Sequence, residues 1–174
     1  RGLGDVYKRQ VLDDILANVP KEKIDERVSL FKRNMHNLSY EVMANPIGVK
    51  GIGKYISKDS ETSFAKYKKG APVHVKAAIN YNSLIDHWYE GKRYEKISNG
   101  TKIRWVYLKE NTFGFDAIAF KGHEDPKEIL ELIKNHIDHN KMYEQAMSKK
   151  LGMFYKAMNW GGVEDKTTSM NRFF

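Results

Sequence analysis

The chain has 174 residues with 30 Lys+Arg against 22 Asp+Glu, a formal net charge of +8, and no cysteine. Disulfides and thiolate metal sites are therefore excluded, and the basic surplus suits a polyanionic partner, although solubility alone also accounts for it. At 41% hydrophobic and 12% aromatic the chain can bury a core, and no apolar run approaches the roughly 20 residues that span a bilayer.

The opening Arg1-Gly2-Leu3-Gly4-Asp5-Val6-Tyr7-Lys8-Arg9-Gln10 reads as adaptor-derived, and residues 1–10 are left out of the expected fold. A short helix is expected over Val11–Asn18. Pro20 suits the first turn of the next helix, whose Ile24, Val28, Phe31 and Met35 form one apolar face reaching about Asn37. Its other face, with Lys23, Asp25, Glu26, Arg27, Lys32 and Arg33, reads as solvated charge.

From Asn45-Pro46 to Pro72 the pattern dissolves into glycines and lysines, so a loop or short extended structure is expected. Between Pro46 and Lys76 stand Lys50, Lys54, Lys58, Lys66, Lys68, Lys69 and Lys76 against Asp59 and Glu61. Glycines that admit a phosphate to backbone amides, with lysines beside them and Tyr55 and Tyr67 between, fit a nucleic-acid backbone; a solvated loop is the plainer alternative. Gly51-Ile52-Gly53-Lys54 lacks the spacing of a nucleotide P-loop.

Pro72 opens a helix carrying Ala77, Ala78, Tyr81, Leu84, Ile85 and Trp88 on one face and ending at Gly91. His74 and Lys76 lie in its first turn, where the helix dipole favours an anion. Tyr94–Ile97 and Lys102–Leu108 read as strands joined by an Asn99-Gly100 hairpin, with a third strand over Phe115–Phe120. Lys102 and Arg104 alternate onto one strand face. Asp125 is the expected N-cap of a helix with Ile129, Leu130, Leu132, Ile133 and Ile137 inside. His136 and His139 have a metal-compatible spacing without a converging third ligand, so a solvated face is favoured and no metal site is expected. A last helix over Lys141–Trp160, with Met142, Met147, Leu151, Phe154 and Met158, bends near Gly152, and Gly161-Gly162 releases a tail. The expected class is α+β, mostly helical, with a small antiparallel β unit and a flexible C-terminal tail.

Three segments carry a family resemblance: Gly70 to Asn82 with its proline, His-x-Lys and Tyr-Asn; Leu108 to Gly114; and the ending Met170-Asn171-Arg172-Phe173-Phe174. Together they resemble the C-terminal thumb region of tailed-phage replicative DNA polymerases of family B, over roughly Lys21 to Phe174. The resemblance departs where the family's Asn-Pro-Phe-Gly reads Asn111-Thr112-Phe113-Gly114 and where its Lys-Pro-Leu reads Lys149-Lys150-Leu151. The family's catalytic D-x-x-S-L-Y-P-S and Y-G-D-T-D-S motifs do not occur in this chain.

The resemblance implies a fragment that grips primer–template duplex, within a thumb domain over 11–162, and that catalyses nothing alone. Expected DNA contacts are Lys50, Lys54, His74, Lys76, Tyr81, Asn82, Lys102 and Lys149. No cofactor is expected in the fragment, while the parent polymerase would use magnesium and deoxynucleoside triphosphates. The tail, 163–174, resembles a sliding-clamp-binding box with Met170, Phe173 and Phe174 as its plug and Thr167 in place of the usual glutamine. A monomer in the cytoplasm of an infected bacterial host, partnered by duplex DNA and a sliding clamp and not by a membrane, completes the expectation. A self-standing, sequence-nonspecific DNA-binding protein is the alternative. An independent enzyme built on His123, Glu124 and Asp125 lacks an activated nucleophile or a dense ligand set.

Overall fold

The computed structural model describes residues 2–57, 64, 67–90 and 92–164. It is α+β, as expected, and divides into two compact units: residues 1–39 with 139–174, and the contiguous stretch 40–138 between them. Among the described residues no helix is long and apolar enough to cross a membrane.

The first unit is helical. Helix α1 (Leu3–Leu16) starts within the decapeptide set aside on sequence grounds, because Gly4, Tyr7 and Val11 recur at three and four residues on one face. Gly4 and Val11 are buried, and Tyr7 stacks on Phe31 with ring centroids 4.2 Å apart. A Cβ at Gly4 would stand 3.2 Å from Ala146, so any side chain there would press its neighbour aside by a few tenths of an ångström. Beyond the helix end, Asn18 with a positive φ of 57° turns the chain into Pro20 and α2 (Lys21–His36).

Ile24, Val28, Phe31 and Met35 form the buried stripe of α2 as their spacing requires. Asp25 does not belong to the solvated face. It is 3% exposed, accepts a hydrogen bond from Tyr155 Oη at 2.5 Å and pairs with Lys21 Nζ at 2.7 Å. Both its oxygens thus find donors, which is the condition for burying a carboxylate.

The C-terminal helical run is α7 (His139–Tyr143), a π-helical turn over Glu144–Ser148, and α8 (Lys149–Ala157). The irregularity expected at Gly152 is this π turn instead. Gly152 lies inside α8 with open space around it. One residue more per turn rotates the downstream face, so Met147, Leu151 and Tyr155 point inward while Met158 is exposed.

The second unit packs a helix on a three-stranded antiparallel sheet. After the short α3 (Tyr40–Met43), β1 (Ile47–Gly48) pairs with β2 (Lys102–Tyr107), and β2 pairs with β3 (Ala117–Phe120). The register sets Ile47 opposite Ile103, Gly48 opposite Lys102, and Val106 opposite Ile118. A single helical turn, α4 (Ile52–Tyr55), follows β1, so the Pro46–Pro72 segment holds more order than its composition suggests.

Helix α5 (Val73–Tyr89) lies on β3. Small Ala77 and Ala78 admit it closely, and Asn80 Nδ2 donates to the Ala117 carbonyl at 2.9 Å. Tyr94–Ile97 is not a strand, because β1 takes the place beside β2 that the hairpin reading gave it. Asp125 does not cap α6 (Lys127–His136). Its carboxylate turns back to accept the amides of Lys121 and Gly122 and the Tyr81 hydroxyl, closing a turn in which Gly122 and Glu124 have positive φ.

Replacing Tyr155 with Phe keeps the ring beside Trp160 but leaves one Asp25 oxygen buried without its hydroxyl donor. Such a loss costs about 1–3 kcal/mol. A chemical denaturation midpoint indistinguishable from that of the parent chain would contradict the inward role assigned to Asp25.

Candidate nucleic-acid interface

Three of the expected DNA contacts are reached from the edge of the second unit where β1 meets the turn before β2. Val49, fully buried, accepts from the Gly100 amide at 2.8 Å and donates to the Thr101 carbonyl at 3.1 Å. Those two bonds fix Lys50, which follows, beside the turn Ser98–Thr101. Gly100 takes φ of 90° there, as an Asn-Gly turn demands. Gly51, at φ of 85°, reverses the chain so that the amide of buried Ile52 reaches Asn99 Oδ1 at 3.1 Å. Lys102 stands opposite Gly48. Lys50, Lys54 and Lys102 are all exposed.

The surface continues along the loop. Ile56 forms a β-bridge with Tyr67, and the Lys68 amide donates to the Tyr55 carbonyl at 2.6 Å. Lys54 Nζ lies over the Tyr55 ring and Lys76 Nζ over the Tyr67 ring, 5.2 and 5.3 Å from the centroids. His74 and Lys76 occupy the first turn of α5, both half-buried. Among the described residues no carboxylate lies within ion-pair distance of Lys50, Lys54, Lys76 or Lys102, whereas Lys8, Lys21, Arg27, Lys92, Lys96 and Lys127 are each paired with one.

The other expected contacts lie elsewhere. Tyr81 is fully buried, and its hydroxyl donates to Asp125 at 3.0 Å; burial first, then the Asp125 charge, push its phenol well above the ordinary range. It is a core residue without a surface to offer. Asn82 is half-buried and saturates Ile97: Nδ2 donates to the Ile97 carbonyl at 2.8 Å and Oδ1 accepts its amide at 2.7 Å. Its side chain is committed to the fold. Lys149 is exposed on α8, in the first unit. Met170, Phe173 and Phe174 lie outside the described residues.

Asn99 was not singled out by the sequence beyond its turn signal, yet it joins the turn to α4. Lys68 and Lys69, exposed at the loop's return, extend the same basic run. Lys102 directly follows the turn, whose Ser98 and Thr101 hydroxyls are hydrogen-bonded to each other at 3.2 Å. Such an edge can neutralise phosphates with ammonium groups and offer a hydroxyl beside them.

The constellation around His123 fares differently. His123 and Glu124 are exposed, and Asp125 already accepts two backbone amides and the Tyr81 hydroxyl. Among the described residues no group of three or more His, Cys, Asp or Glu side chains could hold a metal ion. His136 and His139 fall in different units, and His139 stacks with His36 at 5.8 Å.

No protein-family model matches the chain, and no curated protein is significantly similar to it. The site therefore stands on its own geometry.

Asn82→Ala removes both bonds to buried Ile97 and is expected to destabilise the chain by about 1–3 kcal/mol. Urea denaturation followed by circular dichroism measures it. A surface residue poised for a ligand would show no such loss.

Proposed function

We propose that the chain binds duplex DNA through its phosphate backbone, as the duplex-gripping end of a family B replicative DNA polymerase. The observation that carries this reading is the edge of the second unit, where Lys50 and Lys102 adjoin the Ser98–Thr101 turn and Lys54 stands on α4, tied to that turn through Ile52 and Asn99, all three without carboxylate partners among the described residues. Lysine neutralises phosphate and releases counterions, which gives affinity without sequence discrimination. His74 and Lys76, at the start of α5, extend the grip to a second phosphate position. The family resemblance adds the setting: a host-cell cytoplasm, a catalytic region using magnesium and deoxynucleoside triphosphates in a parent enzyme, and a monomeric holding module. A self-standing DNA-binding protein uses the same surface, and the reading frame upstream of the chain separates the two.

Fluorescence anisotropy on two unrelated duplexes over a salt series tests the binding. Equal affinities falling steeply with salt are expected. Lys54→Ala and Lys102→Ala should each lower the slope of log affinity against log salt by roughly one unit while leaving the melting temperature unchanged. A flat salt dependence, or strong preference for one duplex, would sink the proposal.

We extend the proposal to the chain end, where Met170 stands three residues before Phe173 and Phe174, a spacing that suits an apolar plug for a pocket on a sliding clamp. Deleting Asn171 to Phe174 should abolish clamp binding in surface plasmon resonance and spare DNA affinity. Clamp binding that survives the deletion refutes it.

A further inference from the structure

Lysines interleaved with tyrosines admit two opposite ways of holding a nucleic acid. Free aromatic faces stack with bases and favour single strands. A ring with an ammonium group over it has that face committed, and there it serves the cation instead.

Both loop tyrosines of the second unit are of the second kind. Lys54 Nζ stands over Tyr55 and Lys76 Nζ over Tyr67. The edge of the Tyr55 ring lies against Gly51, where an added Cβ would be 3.5 Å from Cε2. Tyr67 is half-buried; burial pushes its phenol up, and the Asp116 charge adds to it. The Ile56–Tyr67 bridge and the Lys68 amide on the Tyr55 carbonyl hold the two rings on neighbouring backbone segments. Each ring thus has one face taken by an ammonium group.

We infer that Tyr55 and Tyr67 are positioning residues that hold the Lys54 and Lys76 ammonium groups for a phosphodiester backbone, and that this surface recognises the phosphates without using the bases. The inference rests on the phosphate-binding reading above and adds which part of the nucleic acid is read. A lysine held by a ring keeps its charge while giving up rotamer freedom beforehand, so less ordering remains to be done when the phosphate arrives.

The test uses the full chain and fluorescence anisotropy on a duplex and on two single strands of equal length and charge, one of thymidines and one of abasic sites. The two single strands should bind within about twofold of each other, with the same salt slope. A double variant carrying Tyr55→Phe and Tyr67→Phe should bind as the parent does. One carrying Tyr55→Leu and Tyr67→Leu should lose about three- to tenfold on both strands, with the salt slope retained because the ammonium groups remain. Binding of the parent chain to the abasic strand tenfold or more weaker than to the thymidine strand overturns the inference, as does a leucine variant that is folded and binds like the parent. Should the leucine variant melt early, the comparison of the two strands on the parent chain still decides. Salt-dependent binding that requires bases overturns this inference alone, whereas no salt-dependent binding to any of the three nucleic acids overturns the phosphate reading with it.

Discussion

Helix α5 is buried around most of its circumference: Val75, Ala77, Ala78, Ile79, Asn80, Tyr81, Leu84 and Ile85 are all inside. A helix so enclosed must find partners for the polar groups it carries inward, and three side chains each bond a different part of the second unit, leaving Asn80 Oδ1 buried with no partner among the described residues. Asn80 bonds β3, Tyr81 bonds the turn before α6, and Asn82 bonds Ile97 ahead of β2. Consecutive residues on a helix point about 100° apart, so three in a row can reach three neighbours. The basic edge depends on the last of these, since Ile97 leads directly into the Ser98–Thr101 turn that places Lys102 and receives Val49.

This dependence explains why two expected contacts proved structural. Polar and aromatic residues following Lys76 are the same residue types whether they face a phosphate or fasten a helix, and spacing along one helix does not separate the cases. What separates them is the partner, and Asp125 and Ile97 stand 44 and 15 residues away. The lysines differ in kind. A long ammonium side chain is costly to bury, so Lys50, Lys54 and Lys102 reach the surface wherever the chain runs.

The periodic helices were legible for the same reason: Ile24, Val28, Phe31 and Met35 bury one stripe whatever lies opposite. Two features were not. A two-residue strand such as Ile47–Gly48 carries no alternation to read, and it exists because β2 offers an edge that Val49 can extend by hydrogen bonding. The π turn at Glu144–Ser148 shifts the inward phase, so a period carried across it favours Phe154 and Met158 where Tyr155 is buried. Asp25 belongs with these, since its donors lie at Lys21 on its own helix and at Tyr155, 130 residues on.

The first unit is assembled from both ends of the chain, while the second is one uninterrupted stretch. This asymmetry makes one order of assembly less costly than the other. The helices α1 and α2 meet α7 and α8 only after about 100 intervening residues are brought into a closed loop, an entropic cost of about 4 kcal/mol for a flexible segment. A collapsed second unit shortens the effective tether between Ser39 and His139 and removes much of that cost. The order that costs least entropy is thus for the sheet and α5 to condense before the helical unit closes, since that unit's contacts are the more distant in sequence.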